Sequence, residues 1–134
     1  MKKILILTTV LCTLICVDLS AQHKVLMIPR EGSYSDLDRS IQNEIVVMLS
    51  FLYDAGYTVD IASQSGKPFI GSNISVNTKR KISDVNVKEY DGIILPCMSV
   101  GMPGPISKEA VDLVKEGNIL GLPIAAQDGS VYII

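Results

Sequence analysis

Apolar residues are concentrated in four short runs along the chain, separated by polar and turn-forming residues. Each run has the length of a strand buried on both faces, which is typical of a parallel sheet covered by helices. The four runs are Lys24–Pro29, Tyr57–Ala62, Gly92–Pro96 and Leu122–Ala126. The pattern therefore predicts four buried strands.

Between the first two runs, the hydrophobic period changes to that of a helix. The apolar residues of one predicted helical face are Ile41, Ile45, Met48, Leu49 and Leu52. Ser35, Asp36 and Asp38 are candidate N-caps, and Gly56 is expected to end the helix. A strand, a helix and a second strand within about forty residues predict a βαβ unit.

A second helix is predicted between the third and fourth runs, with Ser107 as its N-cap and Gly117 near its end. The middle of the chain is less regular. Ile74–Val76 is expected to be a short strand or hairpin arm, and Lys81–Tyr90 a polar connection. The alternation of strands and helices predicts one α/β domain with a doubly wound parallel sheet.

The first 21 residues have the composition of a secretory signal peptide. Two lysines precede the apolar run Ile4–Val17, and the small residues Ser20 and Ala21 follow it. The run is shorter than the roughly 20 apolar residues that a membrane span needs. Cleavage after Ala21 or Gln22 would give a secreted or periplasmic protein without stable membrane insertion; a retained N-terminal anchor is the alternative.

Charge and cysteine content narrow the possible partners. Removal of residues 1–21 leaves 10 basic and 13 acidic residues, a net charge of −3. The basic cluster Lys79–Lys81 has no interleaved aromatic residues, so a solvated turn is favoured over a phosphate-binding patch and no nucleic-acid partner is predicted. Cys97 would be the only cysteine of the mature chain, which excludes an intramolecular disulfide. No cofactor or metal site is predicted.

The chain ends on four apolar residues, Val131–Ile134, without a polar cap or turn signal. A half-built apolar helix is an unusual end for a domain. The sequence is therefore interpreted as C-terminally truncated, with residues 22–134 forming an incomplete domain. Completion by a partner chain is the alternative, and an incomplete chain has added reason to form a homodimer.

Chemistry is expected where the parallel strands end, because ligands of doubly wound sheets bind beyond the carboxyl ends of the strands. The segments that follow three of the predicted strands are Pro29–Gly32, Cys97–Met98 and Gln127–Gly129. Glu31, Cys97 and Asp128 are the reactive or charged groups in them. Arg30 and Glu31 are predicted to remain solvated.

Five segments resemble the PfpI superfamily in order and spacing. They are Lys24–Pro29, Leu52–Gly56, Thr58–Ser63, Glu89–Pro96 and Pro123–Ala126. The resemblance covers the whole predicted mature chain. It implies the flavodoxin-like fold of the class I glutamine amidotransferase-like proteins, a group that includes the Parkinsonism-associated protein deglycase.

The resemblance also implies where an active site would lie. Active members place a nucleophilic cysteine at a strand-to-helix elbow, where this chain has Gln127, or Asp128 if the register slides by one residue. Glu44 matches the acidic residue that accompanies the cysteine. Cys97 and Met98 replace two glycines whose backbone N–H groups help to hold an oxyanion, and the Met side chain puts substrate access in doubt.

These departures favour a noncatalytic or divergent domain that binds a small polar ligand or a partner above the strand ends. Gln127, Asp128, Gly129 and Met98 are the candidate ligand-binding residues. Gln127 is also a candidate hydrogen-bond partner of Glu44, whose side chain either faces the pocket or is exposed. Asp128 has a simpler interpretation as a helix cap.

The alternative function is a hydrolase or deglycase that uses Cys97 as a displaced nucleophile, with Glu44 as its acidic partner. A buried, inert thiol is the competing interpretation of Cys97. A third possibility is a fragment that does not fold stably. His23, beside the predicted cleavage site, is the only histidine and is not expected at the active site.

Overall fold

The computed structural model of the protein describes residues 23–34, 36–97, 101–103 and 107–127. The strands are β1 (Lys24–Met27), β2 (Gly32–Tyr34), β3 (Thr58–Ser63), β4 (Phe69–Ile70), β5 (Ser75–Val76), β6 (Arg80–Lys81), β7 (Gly92–Leu95), β8 (Gly101–Pro103) and β9 (Ile124–Ala126). All four predicted apolar runs contain a strand. The predicted signal peptide, Met98, Asp128 and Gly129 lie outside the described residues.

The central sheet has the strand order β6-β3-β1-β7-β9, and every neighbouring pair is parallel. Two short antiparallel pairs, β2 with β8 and β4 with β5, lie outside it. The β4–β5 pair confirms the predicted hairpin arm at Ile74–Val76. In the strand order, β3 lies on one side of β1 and β7 lies on the other side. The chain therefore winds in both directions from β1, and the sheet is doubly wound as predicted.

The edge strand β6 corrects the prediction that Lys79–Lys81 is a solvated turn. Arg80 and Lys81 pair with Ala62 and Ser63 of β3. Hydrophobic periodicity could not reveal this strand, because it is short and basic and its Arg80 side chain lies 3.8 Å from the buried Asp60 carboxylate on β3.

The first helical region has three consecutive parts: α1 (Leu37–Ser40), a π-helical segment (Ile41–Val46) and α2 (Val47–Asp54). Asp36 is the N-cap, since its side chain accepts a 2.9 Å hydrogen bond from the Arg39 N–H. Gly56 follows the helix with a φ of 83°, which confirms its predicted role as a stop. The π-helical segment was not predicted.

The second helix, α3, spans Lys108–Ile119. Ser107 caps it as predicted, accepting a 3.0 Å hydrogen bond from the Ala110 N–H. Gly117 lies in the helix and faces the sheet, where a β-carbon would come within 2.5 Å of Ile93 Cδ1. A larger residue at this position would displace the Ile93 side chain, so glycine allows α3 to pack closely on β7.

The two helical regions cover opposite faces of the sheet. The α3 face buries a cluster that includes Leu26, Ala62, Ile93, Leu95 and Val114. The α1–α2 face buries a cluster with Met27, Ile41, Ile45, Ile61 and Phe69. Helices on both faces explain why the strands carry apolar residues on both sides. None of the helices in the described ranges is long and apolar enough to span a bilayer.

Candidate functional site

The sheet order brings together the segments that follow β3, β1, β7 and β9, because parallel strands end at the same edge. Backbone hydrogen bonds fix their register: the Ile28 N–H donates to the Ile94 oxygen at 2.9 Å, and the Gln127 N–H donates to the Leu95 oxygen at 3.0 Å. The direction of winding reverses between β1 and β7, so the topological switch point lies between the chain after Ile28 and Cys97.

Cys97 follows β7 at this switch point and is buried, with 2% of its surface exposed. The structure thus places the thiol at the carboxyl edge, as the sequence predicted, but beneath the surface. A nucleophilic cysteine needs both thiolate character and access. Attack by Cys97 would require the surrounding loop to open.

Glu44 is also buried, with 8% of its surface exposed. It lies in the π-helical segment between the core residues Ile41 and Ile45. The wider i→i+5 turn of a π-helix changes which side chains face inward, and such segments occur frequently at functional sites. The burial of Glu44 excludes the exposed alternative that the sequence left open. Whether its carboxyl faces a ligand stays a prediction.

Gln127 continues β9 by one residue and is exposed at the carboxyl edge. Its predicted hydrogen bond with Glu44 stays a prediction, as do the roles of Asp128, Gly129 and Met98. His23 precedes β1 and packs against Tyr57, with their ring centroids 5.6 Å apart. It therefore lies at the amino edge of the sheet, opposite Cys97.

Glu31 corrects the prediction of a solvated side chain. Its Oε1 atom accepts two hydrogen bonds from Ser65, one from the backbone N–H at 3.1 Å and one from the hydroxyl at 2.5 Å. Partial burial acts to raise the pKa of Glu31, but the Ser65 and Ser63 hydrogen bonds and the Lys67 charge outweigh it and lower the pKa. Glu31 is therefore an ionised group that ties together the loops after β1 and β3.

Gln64 supplies an unsatisfied acceptor near the same edge. Its Nε2 atom donates to Glu109 Oε2 at 3.1 Å, whereas its Oε1 atom is buried without a hydrogen-bond partner among the described residues. Buried polar atoms of this kind are uncommon and need an explanation such as a ligand or an ordered water. No sequence pattern pointed to Gln64, because its contact with Glu109 depends on the position of α3.

A second polar cluster lies inside the sheet, around Asp60 of β3. Asp60 is 3% exposed and accepts hydrogen bonds from the Lys79 ammonium at 2.8 Å and the Tyr90 hydroxyl at 3.0 Å. The Lys24 ammonium lies 2.9 Å from Asp60 Oδ2, and the Arg80 guanidinium lies 3.8 Å from the same oxygen.

These contacts determine the protonation states of the cluster. Burial acts to raise the pKa of Asp60, but the hydrogen bonds from Lys79, Lys24 and Tyr90 outweigh it and lower the pKa. Burial, followed by the hydrogen bond to Asp60, raises the pKa of Tyr90 well above its usual value. The only sequence signal was an aspartate in an otherwise apolar strand. The cluster is closed to solvent at its centre, so its role is structural.

No three His, Cys, Asp or Glu side chains are grouped as metal ligands in the described ranges. The parallel sheet, the helices on both faces and the β1/β7 switch point define a flavodoxin-like α/β domain. Neither a protein-family model nor a curated protein sequence matches the chain.

Solved structures show which flavodoxin-like proteins this domain is similar to. A ThiJ/PfpI domain protein from Brachyspira murdochii matches with a TM-score of 0.63 at 14% identity, over 84% of this chain and 62% of that one. A two-domain protein from Anabaena variabilis, with DJ-1/ThiJ/PfpI-like and ferritin-like domains, matches with a TM-score of 0.61 at 16% identity, over 83% and 31%. The fold is thus that of a DJ-1/PfpI-like domain.

A putative transcriptional regulator from Vibrio parahaemolyticus matches with a TM-score of 0.53 at 18% identity, over 84% of this chain and 59% of that one. The chain therefore spans less than two thirds of the length of each of these structures. At such low sequence identity, the similarity shows the fold alone and does not show that this chain has the activity of any of these proteins.

Proposed function

We propose that the protein is an exported, noncatalytic or divergent DJ-1/PfpI-like domain that binds a small polar ligand at the carboxyl edge of its sheet. The observation that carries this proposal is the meeting of several polar groups at that edge, among them the partly buried side chain of Gln64, which directly follows β3. Cys97 and Gln127 follow the neighbouring strands β7 and β9. Export rests on the composition of residues 1–21.

A polar ligand is favoured because the same edge contains a buried acceptor without a hydrogen-bond partner among the described residues, the Oε1 atom of Gln64. A buried polar atom is costly unless it is hydrogen-bonded, so this atom indicates a missing donor. A ligand that donates hydrogen bonds at this edge would offset part of that desolvation cost.

Binding is favoured over catalysis for two reasons. Gln127 occupies the position at which the resemblance places a nucleophile, and an amide has no proton that it can usefully lose. Cys97, the substitute nucleophile, is 2% exposed. The hydrolase or deglycase alternative therefore needs an opening motion as well as a change of nucleophile.

A thermal-shift experiment tests the binding proposal. The protein is melted with a panel of small polar metabolites, and binding at 100 times Kd is expected to add about 2.7 kcal/mol to the free energy of unfolding. Glu44→Gln and Gln127→Ala should each reduce the shift. Glu116→Gln, at an exposed position of α3, is the matched control. Equal shifts in all variants, or no shift with any compound, would contradict the proposal.

Alkylation of Cys97, followed by mass spectrometry of the peptide that contains it, separates binding from thiol catalysis. We expect the native protein to react far more slowly than the urea-unfolded protein, because the thiol is buried. Rapid native alkylation at a pH well below the usual thiol pKa, about 8.5, would instead support the enzyme alternative.

A further inference from the structure

A pocket of about 240 Å³ lies between the loop after β1 and the loop that joins β3 to β4. We name it the Glu31 pocket, and the lining residues used below are Glu31, Leu37, Ser65, Lys67, Pro68 and Phe69. It shares no lining residue with the candidate set Glu44, Cys97 and Gln127. Its volume is below the roughly 300–1,000 Å³ of pockets for drug-sized ligands, so it suits a smaller molecule, of the size of a metabolite.

The pocket contains two opposite charges that do not neutralise each other by direct contact. Within the described part of the chain, Glu31 and Lys67 form no ion pair within 4.0 Å, although the Lys67 charge acts on the Glu31 carboxylate. Both hydrogen bonds from Ser65 end on Glu31 Oε1. A carboxylate has about four acceptor positions, so Glu31 retains capacity for a further donor.

The remaining wall is apolar. Leu37 is half-buried at the start of α1, and Phe69 is 6% exposed in β4. Pro68, between Lys67 and Phe69, adds a rigid apolar surface. A ligand with only charged ends would leave this wall in water, whereas a hydrocarbon group would cover it.

The backbone of the loop that carries Ser65 and Lys67 is held in place before any ligand binds. The Gly66 N–H donates to Ser63 Oγ at 3.0 Å, and the Lys67 N–H donates to Ser65 Oγ at 3.1 Å. The Thr78 hydroxyl donates to the Gly66 oxygen at 2.7 Å, and Gly66 has a φ of 75°. A preorganised loop reduces the entropy lost on binding.

We propose that the Glu31 pocket binds a small zwitterion with an apolar side chain, of the α-amino acid class. The ligand ammonium binds the Glu31 carboxylate, the ligand carboxylate binds the Lys67 ammonium, and the side chain packs on Leu37, Pro68 and Phe69. The two opposite charges and the apolar wall together select this class over a simple amine or a simple acid.

Three probes of matched hydrocarbon shape test the proposal by titration calorimetry: leucine, isoamylamine and 4-methylpentanoate. Leucine is expected to bind at least about tenfold more tightly than either singly charged probe, since each singly charged probe lacks one of the two charge-assisted contacts. Glycine should bind more weakly than leucine, because it leaves the apolar wall uncovered. Equal affinities for leucine and isoamylamine would overturn the zwitterion assignment.

Variants locate the binding. Lys67→Met should lower leucine affinity to the isoamylamine level, and Glu31→Gln to the 4-methylpentanoate level. Lys115→Met on α3 is the control and should leave leucine affinity unchanged. If Glu31→Gln unfolds the loop, Lys67→Met still tests the proposal. The exposed Lys67 side chain takes part in no hydrogen bond or ion pair within the described residues, so its replacement should leave the loop folded.

Amide chemical shifts give an independent readout of position. Leucine is expected to shift the Ser65, Lys67 and Phe69 signals and to leave the Cys97 signal in place. Leucine-dependent shifts centred on Cys97, affinity that is unaffected by Lys67→Met, or no saturable binding would each overturn the proposal. The absence of a thermal shift that depends on Glu44 or Gln127 would contradict the proposed function but would leave these results at the Glu31 pocket unchanged.

Discussion

Asp60 and Glu31 are both carboxylates with lowered pKa values, but their surroundings differ. Asp60 is 3% exposed and is surrounded by Lys24, Lys79, Arg80 and Tyr90. Glu31 is half-buried, receives both Ser65 hydrogen bonds on one oxygen and lines an open pocket. A lowered pKa therefore does not separate a structural carboxylate from one that is available for binding. Access does.

The difference also has an energetic consequence. Removal of one partner from a buried charge cluster leaves the other charges without compensation, whereas a half-exposed charge is screened by water. Substitution at Asp60 should mainly affect stability, and substitution at Glu31 should mainly affect ligand binding. The five predictions below test this contrast by stability measurements, in order of decreasing expected effect.

Asp60→Asn should have the largest effect, a loss of about 3 kcal/mol in the free energy of unfolding. The lysines around it would lose their counter-charge, and the exposure of Lys79 keeps the loss at the lower end of the range for buried pairs. Urea unfolding at pH 7 measures it. Asp112→Asn, which removes an exposed partner of Lys108, is the control and should cost about 0.5 kcal/mol or less. Equal losses would contradict the contrast.

The pH dependence of Asp60 follows from the direction of its shift. Because folding lowers its pKa, ionised Asp60 stabilises the fold at pH values above the unfolded-state pKa, about 3.9. That contribution is lost as the pH falls through the lower folded-state pKa. Acid unfolding curves of the wild type should therefore be steeper in this window than those of Asp60→Asn.

Tyr90→Phe should cost about 1–2 kcal/mol, because it removes the hydroxyl that donates to Asp60 Oδ2 while keeping the ring. Tyr53→Phe is the matched control, since Tyr53 is 54% exposed, and it should have almost no effect. In a double-mutant cycle with Asp60→Asn, the two losses should not add. Additive losses would show that the two side chains act independently.

Glu31→Gln should cost only about 0.5 kcal/mol, because the amide oxygen can still accept from Ser65 and the lost charge was partly screened by solvent. The pKa of Glu31 is also lowered, so this stabilisation is present above its unfolded-state pKa and is lost as the pH falls through the folded-state value. The shift in urea midpoint measures the cost, with Glu116→Gln as control. A loss as large as that of Asp60→Asn would remove the distinction between the two carboxylates.

Glu89→Gln should have the smallest effect, about 0.3 kcal/mol at low salt. Glu89 is 42% exposed and contacts Arg80 at 3.2 Å and Lys24 at 3.8 Å, on the outer side of the Asp60 cluster. Added salt should abolish the difference between variant and wild type, because exposed ion pairs are screened. A persistent difference at high salt would indicate that the buried cluster extends to Glu89.

Much of the fold could be predicted because its signals are local. The apolar runs predicted β1, β3, β7 and β9, and the side chains of Asp36 and Ser107 cap the helices as expected. The doubly wound α/β class followed from the alternation of these elements. β6 and the π-helical segment were missed, because their residues have no distinctive period and depend on contacts with distant parts of the chain.

The candidate site was less predictable for the same reason. The sequence placed Cys97 and Gln127 after buried strands, and the structure confirms that both follow strands at one edge. The sequence could not decide whether Cys97 and Glu44 are exposed. It also treated Glu31 as solvated, because the Ser65 contact joins residues that are 34 positions apart.

By itself, the sequence determined the strands, the helix caps, the fold class and the edge at which chemistry is expected, since hydrophobic period and capping depend on neighbouring residues. Only the tertiary structure decided which carboxylates are enclosed and which are accessible. Burial and pKa depend on side chains that folding brings together from distant positions. Asp60 and Glu31 differ in their partners and in their access to water, and no local sequence pattern encodes either.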